Sequence, residues 1–543
     1  MDSTVIPPSS ADKRASLILV GDDISPLVAL IGLGAVLVAA LWVLRPALST
    51  GFFGDDFFNL DVPSLGGAGD LRSLMPHIRE TAPRIVSHGF YFPLGRAWWD
   101  ADSRYWHAAN LFFCALSTCL LFGLLLCVLR SRLAALIGAF LFAFSGALFI
   151  AQVWVTGSGE LMAAALVFSS FLAHAAAVVG RSSRLRIVVL ECLAVGLYLL
   201  ALITKETTLP LALVFVVFDL MAVRKVTPAG VAVVACGAAA LLVGLPRLAD
   251  VRSLEQYRVS FRPVHIATGL LLYFYEPIFA TGGDYWILDR LAGPGAGEAA
   301  VEDLVGMAGE YPFAAIALGV LSLLIGAGFL WWTMRSGIVR REKGPTLRPA
   351  DEERAALVPP AFGWISWLLM LAPVLVIPAH HYPYYLTMPL GFAIVAVAPA
   401  AVHGLADRRW RIPVAVGLLL YACWFPVNTH LAFERSSVTR GASLADALRE
   451  STKEVYPEIA PGTTIILDGI DEELRLAIFG GRAFEIWYPG TKGAASIRLR
   501  QELEQRPRRS IPIEGPVVVL RKENGGVRDV TDEFEALYER EAE

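Results

Sequence analysis

Charge is what this 543-residue sequence lacks: Asp, Glu, Lys and Arg make up 18% of it, against 55% hydrophobic residues. A water-soluble chain needs more polar surface than that, so an array of soluble domains is excluded as the main architecture. Cysteine is scarce as well. The six that occur (Cys114, Cys119, Cys127, Cys192, Cys236 and Cys423) all fall inside apolar runs. They read as small core residues and support neither a disulfide framework nor a paired-cysteine metal site. Internal repeats and low-complexity tails are missing too. The N-terminus has no short apolar stretch followed by a cleavage site, and its first apolar block is long enough to remain as an anchor. The formal net charge is only −4, and where the charges sit says more than their sum.

What is present are apolar blocks of about 17–24 residues, enough for a helix to cross a hydrocarbon core of about 30 Å. About eleven spans are expected, at 26–46, 106–129, 133–151, 160–180, 187–203, 208–223, 228–246, 311–333, 357–378, 384–404 and 413–430. The sixth is short enough to be partly re-entrant. Lys13 and Arg14 put residues 1–25 in the cytoplasm, and every second connection should then be basic. They are: Arg130/Arg132; Arg181/Arg184/Arg186; Arg224/Lys225; Arg335 to Arg348; and Arg408/Arg409/Arg411. The opposite connections face outward, including long loops at 47–105 and 247–310. Leu71–Ile78 and Pro263–Phe279 are candidates for helices lying in the membrane interface. Beyond residue 431 the composition turns mixed and soluble. A helix is expected over 443–455, strands at Thr463–Leu467 and Pro516–Leu520, and a turn at Asn524-Gly525-Gly526. The architecture expected is an α-helical polytopic membrane protein, its membrane part over 26–430, with a small extracytoplasmic α/β domain over 431–543.

The polar residues that could carry chemistry gather at the outward ends. Gly51-Phe52-Phe53-Gly54-Asp55-Asp56-Phe57 sets two adjacent carboxylates among aromatic rings at the bilayer surface. Such groups are costly to desolvate and persist mainly when paired, hydrated or used. One carboxylate could take the proton of an attacking hydroxyl, and the other orient the acceptor or share a cation. The alternative is that the pair merely caps an interfacial helix. Tyr91, Arg96, Trp98, Trp99 and Tyr105-Trp106-His107 follow before Asn110. Aromatic belts account for the tryptophans, but Arg96 and His107 are polar groups at a membrane edge, and an arginine fork suits a phosphate. Glu160 stands at the outer start of the fourth span. Lys205-Glu206 joins the fifth and sixth, either as a snorkelling anchor or facing an anionic headgroup. His380-His381 joins the ninth and tenth, without partners at metal-ligand spacing.

Taken in order, these pieces resemble the GT-C superfamily of membrane glycosyltransferases, in its bacterial branch similar to protein O-mannosyltransferases and to the membrane part of TPR-bearing O-mannosyltransferases. The resemblance rests on Asp55-Asp56-Phe57, on Tyr91 with Pro93-Leu94, on His107 with Asn110, and on Trp154, Gly157 and Glu160. It continues through Lys205-Glu206 with Leu209-Pro210 and a late run from Tyr384-Tyr385 to Phe392, covering about residues 26–430. It implies an enzyme that uses a polyprenyl-phosphate-linked sugar and has its active site in the acidic outward loop. Asp55 or Asp56 would be the base, with a lean to Asp56, the residue matching the Asp before the family's aromatic. Lys205, Arg96, His380 and His381 are candidates for the phosphate, and Tyr91, His107, Glu160 and Glu206 for other substrate contacts. The pattern departs where His380-His381-Tyr382-Pro383 replaces a Glu-Arg-Tyr-like run. No TPR array follows the membrane part, which weighs against a protein acceptor.

The expected activity is transfer of a sugar to an extracytoplasmic glycan, lipid or protein, at the plasma membrane and with no nucleic acid involved. No cofactor is implied with certainty. Adjacent aspartates can bind Mg²⁺ or Mn²⁺, although some relatives of this class work without metal. The rival is a transporter or flippase of a lipid-linked substrate, which should show inverted repeats and polar spans at the bilayer midplane. A non-catalytic membrane scaffold is the third reading.

Overall fold

The computed structural model describes residues 24–61, 84–179, 183–251, 259–279, 357–377, 382–495, 516–523 and 526–534. Among the described residues six helices are long and apolar enough to cross a membrane: Pro26–Ser49, Ser103–Leu129, Val155–Val179, Arg184–Leu202, Pro383–Ala406 and Arg411–Arg435. They coincide with six of the eleven expected spans. The span expected at 133–151 is a pair of helices, Arg132–Ala143 and Gly146–Val153, bent by 50°. The break falls at Ser145, whose amide turns back to the Phe142 carbonyl while its hydroxyl donates to Pro277 O (3.5 Å).

Two of the other expected spans come out shorter. Leu211–Ala222 has 12 residues and Pro360–Leu375 has 16. At 1.5 Å per residue these reach about 18 and 24 Å, less than the hydrocarbon core. The span expected at 228–246 is a continuous helix of 24 residues, Pro228–Val251, whose apolar stretch is Pro228–Leu242. The spans thus number six or seven by length among the described residues. The span expected at 311–333 and the segment Leu71–Ile78 lie outside them. The second interfacial candidate is a helix, Pro263–Phe279.

The chain forms two compact units. One comprises Met1–Leu44, Phe112–Phe149 and Glu160–Thr429, and its described part is a helical bundle. Its lipid-type surface is plain on the first helix, where Leu27, Ile31, Val38 and Trp42 are all exposed. The helix at 411–435 likewise exposes Ile412, Val416, Leu419 and Leu420. Contiguous apolar faces of this size are a liability in water and the ordinary condition in lipid. Inside, Phe171 lies among Phe215, Phe218, Phe362 and Phe392, stacking on Phe362 at 5.8 Å. Beside them, fully buried His174 meets Asp219 (2.9 Å), and Asp219 also accepts from the Thr227 amide and hydroxyl (2.8 Å each). The Thr227 hydroxyl in turn accepts from Gly230 N–H (3.1 Å), so Asp219 holds the residue that caps the helix beginning at Pro228.

The other unit comprises Arg45–Leu111, Ile150–Gly159 and His430–Glu543. Its C-terminal part is α/β, as the composition predicts. Helix Ser437–Val455 starts on a Ser436 side chain that accepts from Val438 N–H. The sheet holds β1 (Thr464–Asp468), β2 (Lys492–Ala495), β3 (Val517–Glu523) and β4 (Gly526–Asp529) in the order β2-β1-β3-β4. β1 runs parallel to β2 and β3, while β3 and β4 pair antiparallel, Leu520 opposite Asp529. Central β1 is buried along its whole length. One core joins this part to the early loop: Phe52, Phe57, Phe92 and Trp106 pack in the same cluster as Ile465, Leu474 and Phe484.

Candidate active site

The acidic loop is shaped at Gly54, which has φ 56° and ψ −119° and precedes a short helix, Asp55–Leu60. Side-chain-bearing residues avoid that backbone region, so a glycine there lets the chain turn directly from Phe53 into the helix. The turn gives the two carboxylates opposite environments. Asp55 is exposed and Asp56 is 1% exposed. Asp56 Oδ2 accepts from Phe53 N–H (3.0 Å), and Oδ1 accepts from the Thr156 amide (2.7 Å) and hydroxyl (2.8 Å). Burial pushes the Asp56 carboxyl up to about 7, aided by the charge of Asp55 and opposed by these three donors. Thr156 Oγ1 in turn accepts from Asn59 Nδ2 (2.8 Å), so Asp56, Thr156 and Asn59 form one chain of hydrogen bonds.

The segment 150–159 is tied to the loop at further points. Trp154 Nε1–H donates to Phe53 O (3.3 Å), and Asn110 Nδ2 donates to the Trp154 and Ala151 carbonyls (2.7 and 3.2 Å). Asn110 thus fixes a turn. The Tyr91 hydroxyl lies by the Ser158 hydroxyl and senses the Asp56 charge; burial raises its pKa. Its ring packs edge-on against Phe92, Trp99 and Trp106. His107 is fully buried against the Thr50 and Gly51 carbonyls, with no well-formed hydrogen bond at either ring nitrogen.

Of the residues expected at the site, Asp55, Asp56, Tyr91, Arg96 and His107 belong to this unit. Arg96 is engaged by Asp100 one turn on (2.7 Å). Glu160, Lys205 and Glu206 belong to the helical bundle. There Lys205 Nζ meets the buried Glu160 Oε1 at 3.0 Å, and Glu206 is exposed. His380 and His381 lie outside the described residues. Among the described residues no group of three His, Cys, Asp or Glu side chains is placed to hold a metal ion.

Three contributors were not singled out from the sequence. Thr156 and Asn59 complete the Asp56 network, but Thr156 is 100 residues from Asp56 and its Val-Thr-Gly-Ser context reads only as a turn. Asp446, on helix Ser437–Val455, is the other kind of omission. Its carboxylate lies directly against Gly51, burial raises its pKa against the pull of Arg449, and nothing in its amphipathic surroundings marks it.

No protein family profile matches the sequence, and no curated protein does. Among solved structures, the chain is similar to the archaeal oligosaccharyltransferase AglB from Archaeoglobus fulgidus in complex with an inhibitory peptide and a dolichol-phosphate. The identity is 12% over 84% of this chain and 63% of that one, with a TM-score of 0.40. The apo form of the Archaeoglobus fulgidus oligosaccharyltransferase is similar at 13% identity, 83% and 64% coverage and a TM-score of 0.39. The chain spans less than two thirds of the length of either, and a likeness this loose assigns neither a substrate nor a residue.

Proposed function

We propose that this chain is a membrane glycosyltransferase of the GT-C kind, moving a sugar from a polyprenyl-phosphate-linked donor to an acceptor on the extracytoplasmic side of the plasma membrane. The observation that carries this reading is the division of labour in the acidic loop: Asp56 is buried and held by three donors, while its neighbour Asp55 is exposed. Asp55 is the base, in preference to Asp56. The acceptor hydroxyl attacks the anomeric carbon and gives its proton to the Asp55 carboxylate. The bond from that carbon to the phosphate oxygen breaks, and the polyprenyl phosphate leaves with the electron pair. A phosphate is a good leaving group, so the protein must supply a base and a cation more than an acid. Within the unit that holds Asp55, Arg96 is the cation proposed for the phosphate, which it binds by giving up its pairing with Asp100.

The test is transfer by purified protein supplied with a panel of polyprenyl-phosphate sugars, with and without chelator. Asp55→Asn and the Asp55→Asn/Asp56→Asn pair should lower turnover by at least about 100-fold while leaving membrane insertion intact; near-parent turnover in the double variant would sink the mechanism. The transporter reading has one observation in its favour, the buried His174–Asp219 pair within the bundle, since ionisable groups at membrane depth often mark a translocation path. Both Asp219 oxygens are occupied, however, one by His174 and the other by Thr227. That makes the pair a structural tie, and the enzyme reading is preferred.

A further inference from the structure

The C-terminal α/β part touches the acidic loop at Gly51, Phe53 and Gly54. A methyl group at Gly51 would overlap the Asp446 carboxylate, with Cγ at 2.7 Å, and one at Gly441 would overlap the Phe53 ring. Gly54 N–H donates to Ala477 O (2.8 Å) at the end of helix Glu472–Ala477. Further along the loop, Phe57 meets Trp487 edge-on at 5.8 Å.

These contacts fall on both sides of the turn that points Asp55 outward. The hydrogen bond to Ala477 satisfies the amide of the very residue with positive φ. Asp446 and Phe53 each fill the space that a glycine of the opposite segment leaves open. We infer that the C-terminal part is a clamp that sets the geometry of the acidic loop, with Asp446 against Gly51 and Ala477 O on Gly54 N–H as its positioning contacts. On this view the C-terminal part is a working piece of the catalytic unit. It differs from a lid over the site or a separate reader of the acceptor. The inference rests on the reading of Asp55 as the base.

Close approach at Gly51 supplies a compensating test in the full-length protein. Gly51→Ala sets its methyl against the Asp446 carboxylate, and the clamp requires the loop to shift rather than that side chain to turn away. A displacement of about 1 Å at a reacting group costs on the order of 100-fold in rate, so kcat should fall by about 10- to 100-fold with donor KM within about twofold. The Gly54 and Asp56 amides should exchange hydrogen faster. Gly51→Ala/Asp446→Ala removes the obstruction and should bring kcat back to within a few-fold of the parent and slow the amides again, an effect on the order of the single steric term. Normal exchange in Gly51→Ala, or a double variant no better than the single one, overturns the clamp. Should Gly51→Ala not fold, Gly441→Ala presses on the same loop through Phe53. It is expected to speed the same amides, and unchanged exchange there also overturns the proposal. Should Asp55→Asn stay active while the exchange pattern holds, the base assignment falls and the clamp stands.

Discussion

At the scale of single residues, adjacent aspartates have separate roles. Asp55→Asn should cost about 100- to 10,000-fold in transfer, the ordinary worth of a positioned base. Asp56→Asn should act through the fold, because an amide there turns one acceptor into a donor facing Phe53 N–H or Thr156 N–H. Leaving such a group unsatisfied costs about 1–3 kcal/mol, readable as a lowered unfolding temperature. Asp56 also makes stability depend on pH. Its carboxyl titrates near 3.8 when unfolded and at about 7 when folded. The folded state therefore holds its proton more tightly. That contribution is complete below about pH 4, is lost as pH rises toward 7, and stays lost above. Thermal unfolding of the purified protein from pH 4 to 8 should show this decline, and Asp56→Asn should flatten it. The sequence made the pair visible because two carboxylates among aromatics are costly. The family pattern leans to Asp56 as the base, and nothing local showed how differently the two are buried, since that was decided by Thr156, far away in the chain.

At the scale of elements, helix Glu472–Ala477 links ordinary capping to the loop. Asp471 accepts from Leu474 N–H (2.8 Å) to start that helix, and its last residue, Ala477, holds Gly54. Asp471→Ala should cost about 1 kcal/mol, the usual worth of an N-cap. It should also speed exchange of the Gly54 amide more than that of β1, whereas equal effects would mean that the cap does not bear on the loop. Elements with local causes were legible in advance. Strand Thr464–Asp468 reads out from a β-branched apolar run; the helix expected over 443–455 is there too, but it begins earlier, at Ser437, on a Ser436 cap that was not singled out. The break at Phe144-Ser145 was not legible. Ser145-Gly146 interrupts that apolar run but does not by itself signal a bend; in the structure the Ser145 hydroxyl reaches Pro277, 132 residues on.

At the scale of the whole molecule, two measurements bear on the organisation. A chain ending at residue 436 should still insert in the membrane yet lose transfer, because it lacks Asp446 and Ala477; normal turnover by that chain would refute a catalytic role for the C-terminal part. Cysteines placed at exposed Phe58 and Arg409 should label from opposite sides, Phe58→Cys from outside, with an impermeant thiol reagent. Labelling of both from one side would overturn the alternation of basic loops.

Apolar length and the spacing of basic loops are local properties, because each span must satisfy its own backbone in lipid. The sequence alone therefore determined that long apolar helices dominate the chain and that a soluble α/β segment follows them. It also singled out Asp55 and Asp56. Which residues complete their setting depends on contacts between segments remote along the chain, about which local spacing is silent. Only the tertiary structure brought residues 45–111, 150–159 and the C-terminal part into one unit. It also buried Asp56 on Thr156, exposed Asp55, and laid Asp446 against Gly51.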